Sequence, residues 1–151
     1  MRILAVEDDA SIMAVTQKRL EVAGYEVITA FEGLEGLKKA RSENPDLIVL
    51  DLKLPNLNGY QICSMLKRDK KYCDIPIVML TSLTMEKDVE EGFRAGADAY
   101  ITKPYDAQAL LYHIKTLLER RHNMRPTPPA PAPKKKPKEL VKTNRLEPGK
   151  K

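Results

Sequence analysis

At 151 residues, 42% hydrophobic and 31% charged, the chain has the size and balance of one globular domain with an appendage. No apolar run approaches the roughly 18 residues of a membrane-crossing helix, and the start Ile3–Val6 is too short for an export signal. The formal net charge of +5 is unevenly spread: residues 1–123 carry 17 Lys/Arg against 19 Asp/Glu, and residues 124–151 carry 9 against 2, so the basic character says nothing about the folded body.

The first strand is predicted at Ile3–Val6, a continuous apolar run that stops at Glu7-Asp8-Asp9. Ile12, Val15, Leu20 and Val22-Ala23 then recur at helical spacing up to Gly24, a helix stop. A second strand, Val27–Ala30, precedes a helix carrying Leu34, Leu37 and Ala40. The third strand, Leu47–Leu50, runs into Asp51, and a helix with Tyr60, Cys63, Leu66 and Lys67 follows Asn58-Gly59. The fourth, Ile75–Leu80, runs into Thr81-Ser82 and a helix with Val89, Phe93 and Ala95 that ends at Gly96. The fifth, Ala99–Ile101, is followed by Lys103-Pro104 and by the clearest stripe of all: Leu110, Leu111, Ile114, Leu117 and Leu118.

Strand and helix alternate five times. That pattern implies a parallel sheet, covered by helices on both faces and joined by right-handed crossovers. The first, third and fourth strands are nearly unbroken apolar runs, as strands buried on both faces are. In such sheets ligands bind outside the carboxyl ends of the strands. The residues at those ends are therefore the candidates: Glu7, Asp8 and Asp9, then Asp51, then Thr81, then Lys103.

This set has a definite chemistry. Carboxylates gathered within about 5 Å repel by roughly 3 kcal/mol per pair at an effective dielectric of 20. Lys103 supplies one compensating charge, and a hard divalent cation such as Mg²⁺ would supply more. Asp51 can then act as an oxygen nucleophile toward phosphorus, with Thr81 and Lys103 binding phosphoryl oxygens. Taken singly, each residue has a blander reading. An Asp after a strand is more often a helix N-cap, a role that fits Asp9; a Thr ending a strand is packing; a Lys-Pro is a turn. It is their joint occurrence on successive strand ends that favours the phosphoryl chemistry. Cys63 and Cys73 are not spaced as a metal pair and lie far from His113 and His122, so free thiols in a reducing cytoplasm are expected.

The runs Ile3–Asp9, Asp46–Pro55 with Asn58-Gly59, Pro76–Ser82 and Gly96–Pro104 together resemble the receiver domains of two-component response regulators, over about residues 1–121. The resemblance implies a flavodoxin-like, doubly wound (βα)5 fold of strand order 2-1-3-4-5, of the stand-alone chemotaxis-regulator type. It implies a switch rather than an enzyme, cytoplasmic, taking a phosphoryl group from a sensor histidine kinase or a histidine phosphotransfer protein. By the same resemblance Asp51 is the phosphoacceptor, and Glu7, Asp8, Asp51 and the backbone carbonyl of Lys53 hold Mg²⁺ (or Mn²⁺). Thr81 and Lys103 contact the phosphoryl group. Thr81 and Tyr100 form the switch, repacking a face made by the fourth predicted helix, the fifth strand and the fifth predicted helix, where a protein partner binds. The position two past Thr81 is Leu83, which cannot orient a hydrolytic water, so slow self-dephosphorylation is expected.

The domain is expected to occupy 1–123. Residues 124–151 hold 7 of the 11 prolines and the run Lys134-Lys135-Lys136. They are predicted to be a disordered tail, reaching on the order of 35 Å where polyproline-like. Without interleaved aromatics it suits docking on a partner or an acidic surface better than specific nucleic-acid binding, and no membrane insertion is expected. Two rival readings are an interaction module that is never phosphorylated and a phosphatase with an aspartyl intermediate. The first predicts a damaged pocket, yet every pocket residue is present; the second commonly has an acid where Lys53 stands.

Overall fold

The structure, a computed structural model, describes residues 1–81, 90, 94–103 and 105–124. In chain order these form β1 (Arg2–Val6), α1 (Ala10–Val22), β2 (Glu26–Ala30), α2 (Gly33–Ser42), β3 (Leu47–Asp51), α3 (Gly59–Lys67), β4 (Ile77–Thr81), β5 (Ala99–Thr102) and a last helix, Ala107–Met124. All five strands are parallel, in the order β2-β1-β3-β4-β5. This is the flavodoxin-like order. The predicted helix before Gly96 falls mostly outside the described residues, as do Leu83 and the predicted tail beyond Met124. Met1–Arg121 form one compact unit.

The unbroken apolar runs have a simple cause. Successive side chains of a strand point to opposite faces, and here both faces are covered. Leu4, Val6, Ile48, Leu50, Ile77 and Met79 pack on one side with Leu37 and Ala40 of α2 and Ile62, Cys63 and Leu66 of α3. Ile3, Leu47, Val49, Val78 and Leu80 pack on the other with Leu20 of α1 and Leu110, Ile114, Leu117 and Leu118 of the last helix.

The strands lie within two residues of their predicted limits. β4 starts at Ile77, because the chain from Arg68 to Ile75 turns before Pro76. The stripe of α1 needs correction. Its buried residues are Met13, Thr16 and Leu20, while Val15 is 50% and Val22 75% exposed. The inward face is thus rotated from the one the apolar residues suggest, and it carries a hydroxyl. On α2, Leu34 is likewise largely exposed.

Polar bonds set the position of the sheet's right-hand edge. Lys67 Nζ lies 2.9 Å from Asp98 Oδ2 and donates to the Ile75 carbonyl at 2.8 Å; Asp98 Oδ2 in turn accepts from the Ile77 N–H at 2.8 Å. The start of β5 is thereby tied to α3 and to β4. Among the described residues, no helix is long and apolar enough to cross a membrane.

Candidate functional site

The register of the sheet brings the strand ends level. Val6 is opposite Leu50, Asp51 is opposite Leu80, and Thr81 is opposite Thr102. Hydrogen bonds extend the ladders one step beyond: Glu7 N–H donates to the Ala30 carbonyl at 3.0 Å, and Lys103 N–H to the Thr81 carbonyl at 2.6 Å. Glu7, Asp51, Thr81 and Lys103 are therefore collected along one edge by backbone pairing alone.

Glu7, Asp8 and Asp51 each offer a carboxylate oxygen, and the three oxygens lie within 4.8 Å of one another. Glu7 and Asp51 are buried and Asp8 is exposed. Lys103 Nζ donates to Glu7 Oε1 at 2.8 Å and to Asp51 Oδ1 at 3.2 Å. One ammonium thus bonds two of the three acids. Burial, then the charge of Glu7, push the Asp51 carboxyl up to about 6, against a smaller opposing pull from Lys103. Burial acts to lower the Lys103 pKa, but its bonds to Glu7 and Asp51 outweigh that, and the net shift is upward.

Asp9 does different work. Its Oδ1 accepts from the N–H groups of Ser11 and Ile12 at 2.9 and 3.1 Å, capping α1. This separates it from the cluster and leaves Glu7 and Asp8 as the acids of strand 1 that face Asp51. Thr81 is 1% exposed at the end of β4. Tyr100, on β5 opposite Met79, is half-buried against the same cluster as Met79. Lys53 is exposed and lies with Asp8, Leu54, Asn58 and Tyr60 around an open groove beside the acids.

Two further features concern the elements around the site. A Cβ on Gly59 would stand 2.7 Å from the Asp51 carbonyl oxygen and 2.9 Å from Leu52 Cα. Only glycine lets α3 begin directly beside the strand that carries Asp51. Asn58 caps that helix reciprocally with Gln61, its side chain accepting from Gln61 N–H and Gln61 Oε1 from Asn58 N–H, each at 3.0 Å. The sequence pattern Asn-Gly-x-Gln carries this signal. The second is the contact of Thr16 with Tyr105, 2.7 Å between hydroxyl oxygens, for which no local pattern exists.

Three carboxylates with hard oxygen donors are a donor set that fits Mg²⁺ or Mn²⁺. Comparison with known proteins gives the chain a family. Residues 3–115 match the response regulator receiver domain. The chain is 44% identical over 119 residues to the DNA-binding dual master transcriptional regulator RpaA of Synechocystis, covering 79% of this chain and 49% of that protein. It is 45% identical, with the same coverage, to the alkaline phosphatase synthesis transcriptional regulatory protein PhoP of Bacillus subtilis. The chain spans about half the length of these curated relatives. Among solved structures, a CheY-like receiver domain protein of Methanospirillum hungatei superposes with a TM-score of 0.76 at 34% identity, covering 82% of this chain and 98% of that one. Chemotaxis protein CheY4 of Vibrio cholerae gives 0.72 at 34% identity, covering 77% and 97%.

Proposed function

We propose a function from one premise: the chain belongs to the response regulator receiver domain family. Receiver domains are signalling switches of two-component systems, and this chain is read as one that is set by phosphorylation of Asp51. An Asp51 carboxylate oxygen attacks the phosphorus of a phosphohistidine on a sensor histidine kinase or a histidine phosphotransfer protein. The O–P bond forms, the P–N bond breaks, and the imidazole nitrogen keeps the bonding pair. Lys103 pairs with one phosphoryl oxygen and Thr81 donates to another. When bound by Glu7, Asp8, Asp51 and the Lys53 carbonyl, Mg²⁺ (or Mn²⁺) supplies neutralisation of the charge that builds on the phosphoryl oxygens.

The observation that carries this reading is the state of Asp51. It is 6% exposed, its carboxyl is pushed up to about 6, and it has Lys103 at 3.2 Å and two further acids beside it. A structural carboxylate is held charged by its neighbours; this one is held poorly neutralised until a further cation arrives.

The signal would pass from Thr81 to Tyr100, on strands that pair directly, and so to the face of β5 and the last helix, where a protein partner reads it. The chain is read as cytoplasmic, with slow self-hydrolysis as its only turnover. The transcriptional output in the names of its relatives belongs to proteins about twice as long, and is not assigned to this chain.

Incubation with acetyl phosphate, with Mg²⁺ or with excess chelator, read by intact mass, tests the proposal. A Mg²⁺-dependent gain of one phosphoryl group, absent in Asp51→Asn, is the expected result. No gain under saturating donor and Mg²⁺ would leave an interaction module that works without phosphorylation.

A further inference from the structure

Thr16 occupies an inward position of α1, in the series Met13, Thr16, Leu20, and is 3% exposed. A buried hydroxyl needs a partner. Its partner is 89 residues away: Thr16 Oγ1 lies 2.7 Å from the hydroxyl oxygen of Tyr105. The Tyr105 side chain packs, together with Ile101 and Leu111, against the core on the α1 side of the sheet. Tyr105 is also two residues past Lys103 and one before Asp106, which begins the last helix by accepting from Gln108 N–H and, through its carbonyl, from Leu110 N–H.

These bonds fix the Lys103 segment from two sides. Its N–H is held by the Thr81 carbonyl at 2.6 Å, and two residues later the chain is held to α1 by Tyr105. α1 itself follows directly on Glu7 and Asp8, with Asp9 as its cap. The hydroxyl pair therefore joins the element that follows the acids to the segment that carries the ammonium. Lys103 Nζ must meet two carboxylates at once, at 2.8 and 3.2 Å, so a displacement of Lys103 acts on both contacts.

We propose that Thr16 and Tyr105 are positioning residues: their hydroxyl–hydroxyl bond is a tether that holds Lys103 against Glu7 and Asp51. Neither touches the reacting atoms; both act through Lys103. In its kinetic arm this rests on the phosphoacceptor reading of Asp51.

Two measurements on the full chain test it: the rate of phosphoryl uptake from acetyl phosphate at saturating Mg²⁺, and Mg²⁺ affinity by calorimetry without any phosphodonor. Tyr105→Phe and Thr16→Val are each expected to slow uptake about fivefold, as loss of one net hydrogen bond would. Both are expected to tighten Mg²⁺ about threefold, because an ammonium that is less firmly held competes less for the carboxylates. Thr16→Ser keeps the hydroxyl and is expected to retain both wild-type values. The double variant Thr16→Val/Tyr105→Phe is expected to be no slower than the slower single variant, since both remove the same bond.

Unchanged rates in both single variants, or effects that add in the double, overturn the tether. So does a fall of Mg²⁺ affinity in step with the rate, which marks general loosening of the domain. If Tyr105→Phe does not fold, Thr16→Val against Thr16→Ser carries the same comparison. A wild-type chain that takes up no phosphoryl group overturns the Asp51 reading instead. The Mg²⁺ arm then decides the tether alone, tighter binding in the variants supporting it and unchanged affinity refuting it.

Discussion

The Lys103 ammonium lies 3.2 Å from Asp51 Oδ1, although their strands are not neighbours. β4 separates β5 from β3 in the sheet. The long lysine stem spans that strand at its carboxyl end. The same ammonium meets Glu7, one strand further on, at 2.8 Å. A single side chain thus balances acids from two strands, and its removal should be felt at both.

Lys103→Met is expected to slow phosphoryl uptake by about a hundredfold to a thousandfold, the range for loss of one preorganised donor to a developing anion. Mg²⁺ affinity should rise in the same variant, because a competing cation has gone. Stopped-flow uptake and calorimetry on one preparation read both. A fall in affinity would mean that Lys103 organises the acids rather than competing for them.

Asp51 makes the metal-free protein sensitive to pH. Its carboxyl is raised from an ordinary 3.8 to about 6, so the folded state binds the proton more readily than the unfolded chain does. The contribution to stability is fully present below the lower value and is lost as pH rises through the higher one, on the order of 3 kcal/mol in all. Urea unfolding in chelator should therefore show stability falling between about pH 4 and 6 from this group. Asp51→Asn should be more stable than wild type at pH 7 and should lack this component. An equal pH dependence in both proteins would contradict the assignment.

Mg²⁺ should act against that difference. Binding to the folded state alone stabilises by about 2.7 kcal/mol at a hundred times the dissociation constant. At pH 7 the wild type should gain in thermal midpoint on addition of Mg²⁺, and Asp8→Asn and Asp51→Asn should gain much less. Asp9→Asn should gain as wild type does, since the Asp9 carboxylate is engaged by Ser11 and Ile12. An Asp9→Asn protein that no longer responds would place Asp9 among the ligands.

Gly59→Ala should damage both fold and site. The added methyl would meet the Asp51 carbonyl oxygen at 2.7 Å, backbone that cannot swing away. A cost of about 1–3 kcal/mol is expected, as for overpacking elsewhere. Phosphoryl uptake by the folded fraction should fall as well, because the strain bears on the strand that carries the nucleophile. Wild-type uptake in a destabilised Gly59→Ala protein would show that the site tolerates the shift.

Much of the molecule is legible in its residues, and the reasons are local. Leu47–Leu50 and Ile77–Leu80 are unbroken apolar runs because both faces of each strand are covered, so burial leaves no polar alternation. Asp51, Thr81 and Lys103 stand out because each ends or follows such a run. The inward face of α1 was legible only in part, at Leu20. Its Val15 and Val22 are exposed, and the buried position belongs to Thr16, whose partner is distant in the chain.

By itself, the sequence determined the alternation of strands and helices, and with it which residues stand at the carboxyl ends of a parallel sheet. Those depend on period and burial, which neighbouring residues record. Tertiary structure alone decided that Lys103 reaches over β4 to two strands and that Thr16 meets Tyr105. Each of these is a choice among hydrogen-bond partners, and a side chain's partner is set by what the fold brings within about 3 Å of it, not by its neighbours in the chain.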